Sequence, residues 1–182
     1  MGGVNISPMD TRFKQVARSE TELRAVLGQP SERVLTKVRA TLDDRARAYI
    51  DACPFVLVAS CDAEGRMDIS PKGDEPGFVH ILDESTIAVR DRAGNRRGDT
   101  FTNIVSRPDV ALLFMIPGRG ETLRMSGRGM IVTDDWLRDH LAADGATSGL
   151  VLAVHVSEWF FHCPKCMVHS KLWNSKEAAC AP

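Results

Sequence analysis

The sequence has no excess of charge of either sign, since 23 lysines and arginines face 24 aspartates and glutamates for a net charge of −1. That balance gives no general reason to expect nucleic acid or an anionic membrane as partner, so any anion site must be local. Long apolar runs are also missing. "VALLFMI" at 110–116 is typical of the longest, far short of the roughly 20 residues that cross a bilayer. The opening "MGGVNISPMDTRFKQVARSE" lacks the apolar centre of a secretory signal, and the expected location is cytoplasmic. Cysteines are few and scattered: Cys53, Cys61, Cys163, Cys166 and Cys180 make an odd set, which suggests free thiols rather than a disulfide framework. There is no internal repeat and no low-complexity tract. The Walker A, HExxH and GxSxG patterns are absent too, so nothing argues for a P-loop nucleotidase, a zincin or a serine hydrolase. The glycines of "GRGETLRMSGRG" fall in a turn and a strand, not in the strand-to-helix turn of a dinucleotide fingerprint.

What is present reads as an ordinary soluble globule of 182 residues, 43% hydrophobic and 26% charged, expected as one domain. Roughly the first fifty residues look helical. Ser19 followed by Glu22 has the form of a capping box, and Val34, Leu35, Val38 and Leu42 recur at helical spacing after Pro30-Ser31. A short helix is expected over 44–52. Pro54 marks a change of style, because short apolar runs separated by turn residues follow it. The expected strands are 55–61, 66–70, 78–82, 86–90, 110–116, 122–132 and 150–156, with short helices near 100–106 and 134–143. Gly127 and Gly129 inside one strand suggest a bulge or bend that curls the sheet. Six or seven mostly antiparallel strands with flanking helices favour a small β-barrel over a doubly wound sheet. The expected organisation is a helical segment, 1–53, packed on a barrel domain, 54–182.

The densest polar cluster is "VRDRAGNRRGDTFTNIVSRP" (89–108), where a strand runs through a Gly- and Arg-rich loop into a helix. Helix N-terminal amides attract an anion and guanidinium groups grip it with forked hydrogen bonds, so Arg92, Arg96 and Arg97 are candidate phosphate ligands. A solvated basic loop is the competing reading. In "RMDISPKGDEPG", Lys72 leaves a strand end and can place a positive charge beside an electron-rich ring; a plain surface turn is the alternative. In "HCPKCMVHSKLW" (162–173), Cys163 and Cys166 can ligate zinc with His162 and His169, can exchange disulfides, or can be incidental thiols.

Four blocks in order, "FVLVASCDAEGRMDISPKGDEPGFV", "VRDRAGNRRGDTFTNI", "PGRGETLRMSGRG" and "HCPKCMVHSKLW", resemble the pyridoxamine 5′-phosphate oxidase-like family of FMN-binding split β-barrels. The resemblance is closest to an uncharacterised FMN-dependent branch and covers about two-thirds of the chain, from Phe55 to Trp173. It implies a homodimer with FMN at the subunit interface. Arg96 and Arg97 would grip the phosphate with Arg92 and Asn95 near; Arg66, Met67, Asp68, Ser70 and Lys72 would line the flavin, with Asn103 a further contact. From the other subunit Glu121, Thr122, Arg124 and Trp173 would approach the ring. The implied activity is FMN-dependent oxidoreduction of a small molecule. Pyridoxamine phosphate oxidases continue past the corresponding tryptophan into a substrate-holding basic segment, whereas this sequence ends "LWNSKEAACAP", so the expected substrate is a different, unidentified one. A non-catalytic flavin or haem binding module and a deazaflavin-dependent reductase are the rival expectations.

Overall fold

A computed structural model of the chain describes residues 13–92, 94, 96–141 and 147–173. The chain divides into two compact units, 1–36 and 37–182. In the first, α1 (Glu20–Leu27) begins at Ser19, whose hydroxyl accepts from the Glu22 amide at 3.2 Å. The Glu22 carboxylate in turn accepts from the Arg18 N–H at 2.7 Å, so the capping signal read from the sequence is real. The second helix, α2 (Glu32–Leu35), is a single turn.

The expected continuation of that helix through Val38 to Leu42 does not form. Within the second unit the Arg39 backbone pairs with Trp159 in an antiparallel bridge, with N–O distances of 3.1 and 2.8 Å. The Trp159 indole donates to the Thr41 carbonyl at 2.9 Å. Backbone groups that a helix would satisfy internally are committed to the sheet, and Leu42 enters the core beyond them.

The helix α3 (Asp44–Asp51) is capped by Asp43, which accepts from the Ala46 amide at 2.9 Å, and it buries Ala46, Tyr49 and Ile50. The remaining elements are β1 (Phe55–Cys61), β2 (Met67–Gly73), β3 (Val79–Ile81), β4 (Thr86–Arg92), α4 (Asp99–Ser106), β5 (Asp109–Met115), β6 (Thr122–Val132), α5 (Asp135–Leu141), β7 (Thr147–His162) and α6 (Lys165–Ser170). The seven strands form one antiparallel sheet in the order β2-β1-β5-β6-β7-β4-β3. Alternation sets the inner face: Val56 and Val58 of β1 and Val110, Leu112 and Phe114 of β5 point inward. Burying a side chain the size of Phe114 contributes about 2–3 kcal/mol.

Two details of the ladder matter. The last strand runs to His162 rather than stopping near 156, because β6 pairs with it along its whole length, from Thr122↔His162 to Val132↔Val151. The register shifts between Ser126 and Gly127, as expected of a bulge, and a Cβ on Gly127 would lie 2.1 Å from the His155 carbonyl oxygen. Strands distant in the sheet order also meet: Asp74, just beyond β2, accepts from Arg90 of β4 at 2.8 Å, and the Lys72 ammonium stands 3.9 Å from Asp91. The sheet therefore curls on itself into a split β-barrel, and the gap between β2 and β4 is left as a cleft.

Candidate functional site

The cleft is a cavity of about 770 Å³ walled by β2, the end of β4, the loop that follows it and the first turn of α4. Its volume is that of a cofactor or drug-sized site. Alternation along β2 leaves Asp68, Ser70 and Lys72 half-buried and Met67, Ile69 and Pro71 exposed, and the strand lines the cavity from Asp68 to Lys72. The Lys72 ammonium is positioned 5.3 Å from the Phe101 ring centroid as well as near Asp91.

At the opposite wall, Arg92, Arg96 and Arg97 line the cavity beside Gly98 and Thr100. Arg96 has φ +62°, a left-handed conformation that costs a non-glycine residue about 1 kcal/mol. Gly98, at φ +68°, is the N-cap of α4 and has no side chain to occupy the first-turn amides. Two arginines and the positive end of a helix thus share one corner, an arrangement that suits an anion. Arg97 is steadied by an Nε contact to the Asp99 carboxylate.

Arg92 is fixed by Asp74, with Nη2 2.6 Å from Oδ1 and Nε on Oδ2. The Arg92 hydrogen bond, with help from Arg90, holds the Asp74 carboxyl down to about 2, well below its ordinary value of 3.8. Sequence reasoning missed Asp74 as an organiser of this wall. The signal that could have found it is the third polar residue of "KGD", two positions beyond Lys72.

Other candidates lie elsewhere. Arg66 is held in the β1–β2 turn by Asp62 at 2.6 Å and Glu64 at 3.1 Å. Asn103 is buried and donates to the Ser60 hydroxyl at 3.0 Å, tying α4 to β1. Asn95 falls outside the described residues. A second group gathers where β6 begins. Glu121 receives both hydrogen bonds of Arg45, at 2.8 and 2.7 Å, and its carbonyl accepts from Tyr49 at 2.6 Å. Burial pushes the Tyr49 hydroxyl up to about 12, so it remains a donor at neutral pH. Thr122 is buried beside it, and Arg124 is exposed over the Phe160 ring, 5.4 Å from its centroid. The Trp173 indole donates to the Arg119 carbonyl at 2.8 Å, placing it at the same β5–β6 turn. None of this second group lines the cavity. Cys163 and Cys166 are exposed thiols, and among the described residues no three His, Cys, Asp or Glu side chains group as a metal site.

A curled antiparallel barrel with an anion-ready corner at the β4–α4 junction defines a split β-barrel protein. A family model described as pyridoxamine 5′-phosphate oxidase matches residues 42–163, and the chain belongs to that family. Crystal structures of Group A Streptococcus HupZ and of its H111A form are similar, at 21% and 20% identity, each over 66% of this chain and over 93% and 98% of theirs, both with a TM-score of 0.54. A Lactobacillus delbrueckii protein assigned as a pyridoxamine 5′-phosphate oxidase is 21% identical over 67% of this chain and 95% of its own, with a TM-score of 0.52. At these identities the likeness carries the fold alone. No curated protein matches the chain. Among the described residues no helix is long and apolar enough to cross a membrane.

Proposed function

We propose that the chain binds FMN in the β2–β4 cavity and uses it as an oxidoreductase on a small molecule. The observation that carries this reading is the cavity itself: a volume of about 770 Å³ with Arg96, Arg97 and the Gly98 helix start at one end and Asp68, Ser70 and Lys72 along one wall. The residues fit the group. A phosphate at the arginine corner meets two cations and the helix amides, and the inward polar face of β2 offers hydrogen-bonding groups to a heterocycle. Bound flavin supplies two-electron redox chemistry and gathers negative charge at one edge of its ring when reduced. Lys72 brings a fixed positive charge to the same cavity, steadied by Asp91 and Phe101, and so can stabilise that charge. Arg92 is held by Asp74 as a rigid part of the wall.

A homodimer completes the reading. Glu121, Thr122, Arg124 and Trp173 lie outside the cavity of their own chain, and in this proposal they serve the cavity of the partner. The exposed apolar side chains of β2 support it, for Met67 is 70% and Ile69 64% exposed.

The test is differential. Replacing Arg96 and Arg97 together by alanine is expected to weaken FMN by about tenfold or more, the worth of charge-assisted hydrogen bonds to the phosphate, and to change riboflavin by less than about twofold. Equal losses for both ligands would remove the phosphate assignment, and a protein that takes up no flavin at all would remove the function. Reduction of the bound flavin by NADH or NADPH, followed by reoxidation with an acceptor, separates an enzyme from a ligand-storing module.

A further inference from the structure

The junction of β7 and α6 carries a feature that flavin binding leaves unused. The strand ends at His162, Cys163 follows at once, Pro164 has helical angles (φ −72°, ψ −2°), and Cys166 sits in the first turn of α6. Both thiols are exposed. The other described cysteines differ: Cys53 is buried with its thiol on the Phe55 and Met115 carbonyls, and Cys61 is half-buried in β1.

Cys163 precedes the N-cap Pro164 and Cys166 is the second residue of α6, so two residues separate the cysteines at a strand-to-helix turn, and a bond between them depends on the distance between their Cβ atoms. A disulfide needs about 3.5–4.5 Å between them. Any closing movement falls on an exposed chain segment, where no core packing resists it. The segment is nonetheless anchored at both ends on the β5–β6 turn. Pro164 packs over Gly120, where an added Cβ would come 2.6 Å from the proline Cβ, and Trp173 donates to the Arg119 carbonyl at 2.8 Å. A strap from 163 to 173 therefore lies against the turn that leads into Glu121 and Thr122.

We propose that Cys163 and Cys166 are a reversible dithiol–disulfide pair, oxidised by a small-molecule disulfide of the glutathione class, and that their bond tightens this strap on the β5–β6 turn. One cysteine thiolate attacks a sulfur of oxidised glutathione and expels one glutathione thiolate, giving a mixed disulfide. The second cysteine thiolate then attacks the protein sulfur and expels the other glutathione. The two protein sulfurs lose two electrons and two protons, and one oxidised glutathione becomes two reduced ones. None of this depends on whether the cavity holds flavin.

The test equilibrates the full chain in glutathione buffers of graded ratio, quenches in acid, and alkylates the remaining thiols before intact-mass and peptide analysis. Expected are two fewer alkylated sites in oxidising buffer, a peptide linking Cys163 to Cys166, and full reversal by excess reduced glutathione. Cys166→Ser should stop at a mixed disulfide with glutathione on Cys163. Full alkylation of both residues in oxidising buffer, or a bond that joins either of them to Cys53, Cys61 or Cys180 instead, overturns the pair. Hydrogen exchange reads the strap: the Val168 and Leu172 amides, which donate to the Pro164 and Met167 carbonyls, should exchange severalfold more slowly in the oxidised wild type and unchanged in Cys166→Ser. Equal exchange in oxidised and reduced wild type overturns the tightening.

Discussion

Asp74 shows how a single carboxylate can organise a cavity wall it does not line. Its side chain is 7% exposed and accepts from Arg90, itself 8% exposed, and from Arg92 at the cavity. Removing one partner of a buried ion pair costs about 3–5 kcal/mol, so Asp74→Ala is expected to destabilise the fold by about 3 kcal/mol in urea unfolding near pH 7. The same group makes a pH prediction. Its folded value of about 2 lies below its ordinary 3.8, so its contribution is fully present above about pH 4 and is lost as the pH falls through about 2. The wild type should therefore lose its advantage over Asp74→Ala progressively between about pH 4 and pH 2. A stability difference that stays constant across that window would mean that the carboxylate charge is not what holds the two arginines.

Among the elements, the β6–β7 ladder concentrates the constraint. A Cβ at Gly127 would meet backbone on the neighbouring strand, 2.1 Å from the His155 oxygen, whereas one at Gly129 would meet only side chains, 3.1 Å from Leu152 Cδ1 and 3.3 Å from Ile104 Cγ2. Gly127→Ala is accordingly expected to cost about 3 kcal/mol or more and Gly129→Ala about 1 kcal/mol, compared by thermal or urea unfolding. The bulge at Gly127 was legible in the sequence because two glycines fall inside a long run that otherwise reads as a strand. The strands were legible through their period of two, α3 through a short amphipathic run behind the Asp43 cap, and α4 through its amphipathic run alone. Less legible was whatever depends on a distant partner. The helix expected through Val38 is lost to the Arg39–Trp159 bridge, 120 positions apart in the chain, and β7 continues past polar Ser157-Glu158, where the Ser126 hydroxyl donates to the Glu158 carboxylate across the ladder. The same contrast holds at the site. Arg96 and Arg97 announce themselves as adjacent cations before a helix, while Asp74 acquires its role only when the curl of the sheet brings the end of β2 to β4.

For the whole molecule, the distribution of polar and apolar side chains on β2 is inverted relative to an ordinary edge strand. Asp68, Ser70 and Lys72 are half-buried and Met67, Ile69 and Pro71 exposed, on a strand that ends the sheet and, among the described residues, pairs along one edge alone. Edges of this kind are normally charged, shortened or covered, because an apolar one invites pairing with other chains. In the proposed homodimer a second copy of the chain covers it. A charge buried in such a contact without a partner disfavours it strongly. Met67→Glu is therefore expected to convert a two-chain species into a one-chain species at micromolar concentration, read by sedimentation or light scattering, while leaving the circular dichroism of the barrel unchanged. If the partner completes the site, FMN affinity should fall in parallel with the loss of the dimer, although Met67 itself does not line the cavity of its own chain. A wild type that sediments as one chain and still binds FMN at full affinity would show that one barrel suffices, and would assign the apolar face of β2 to some other contact.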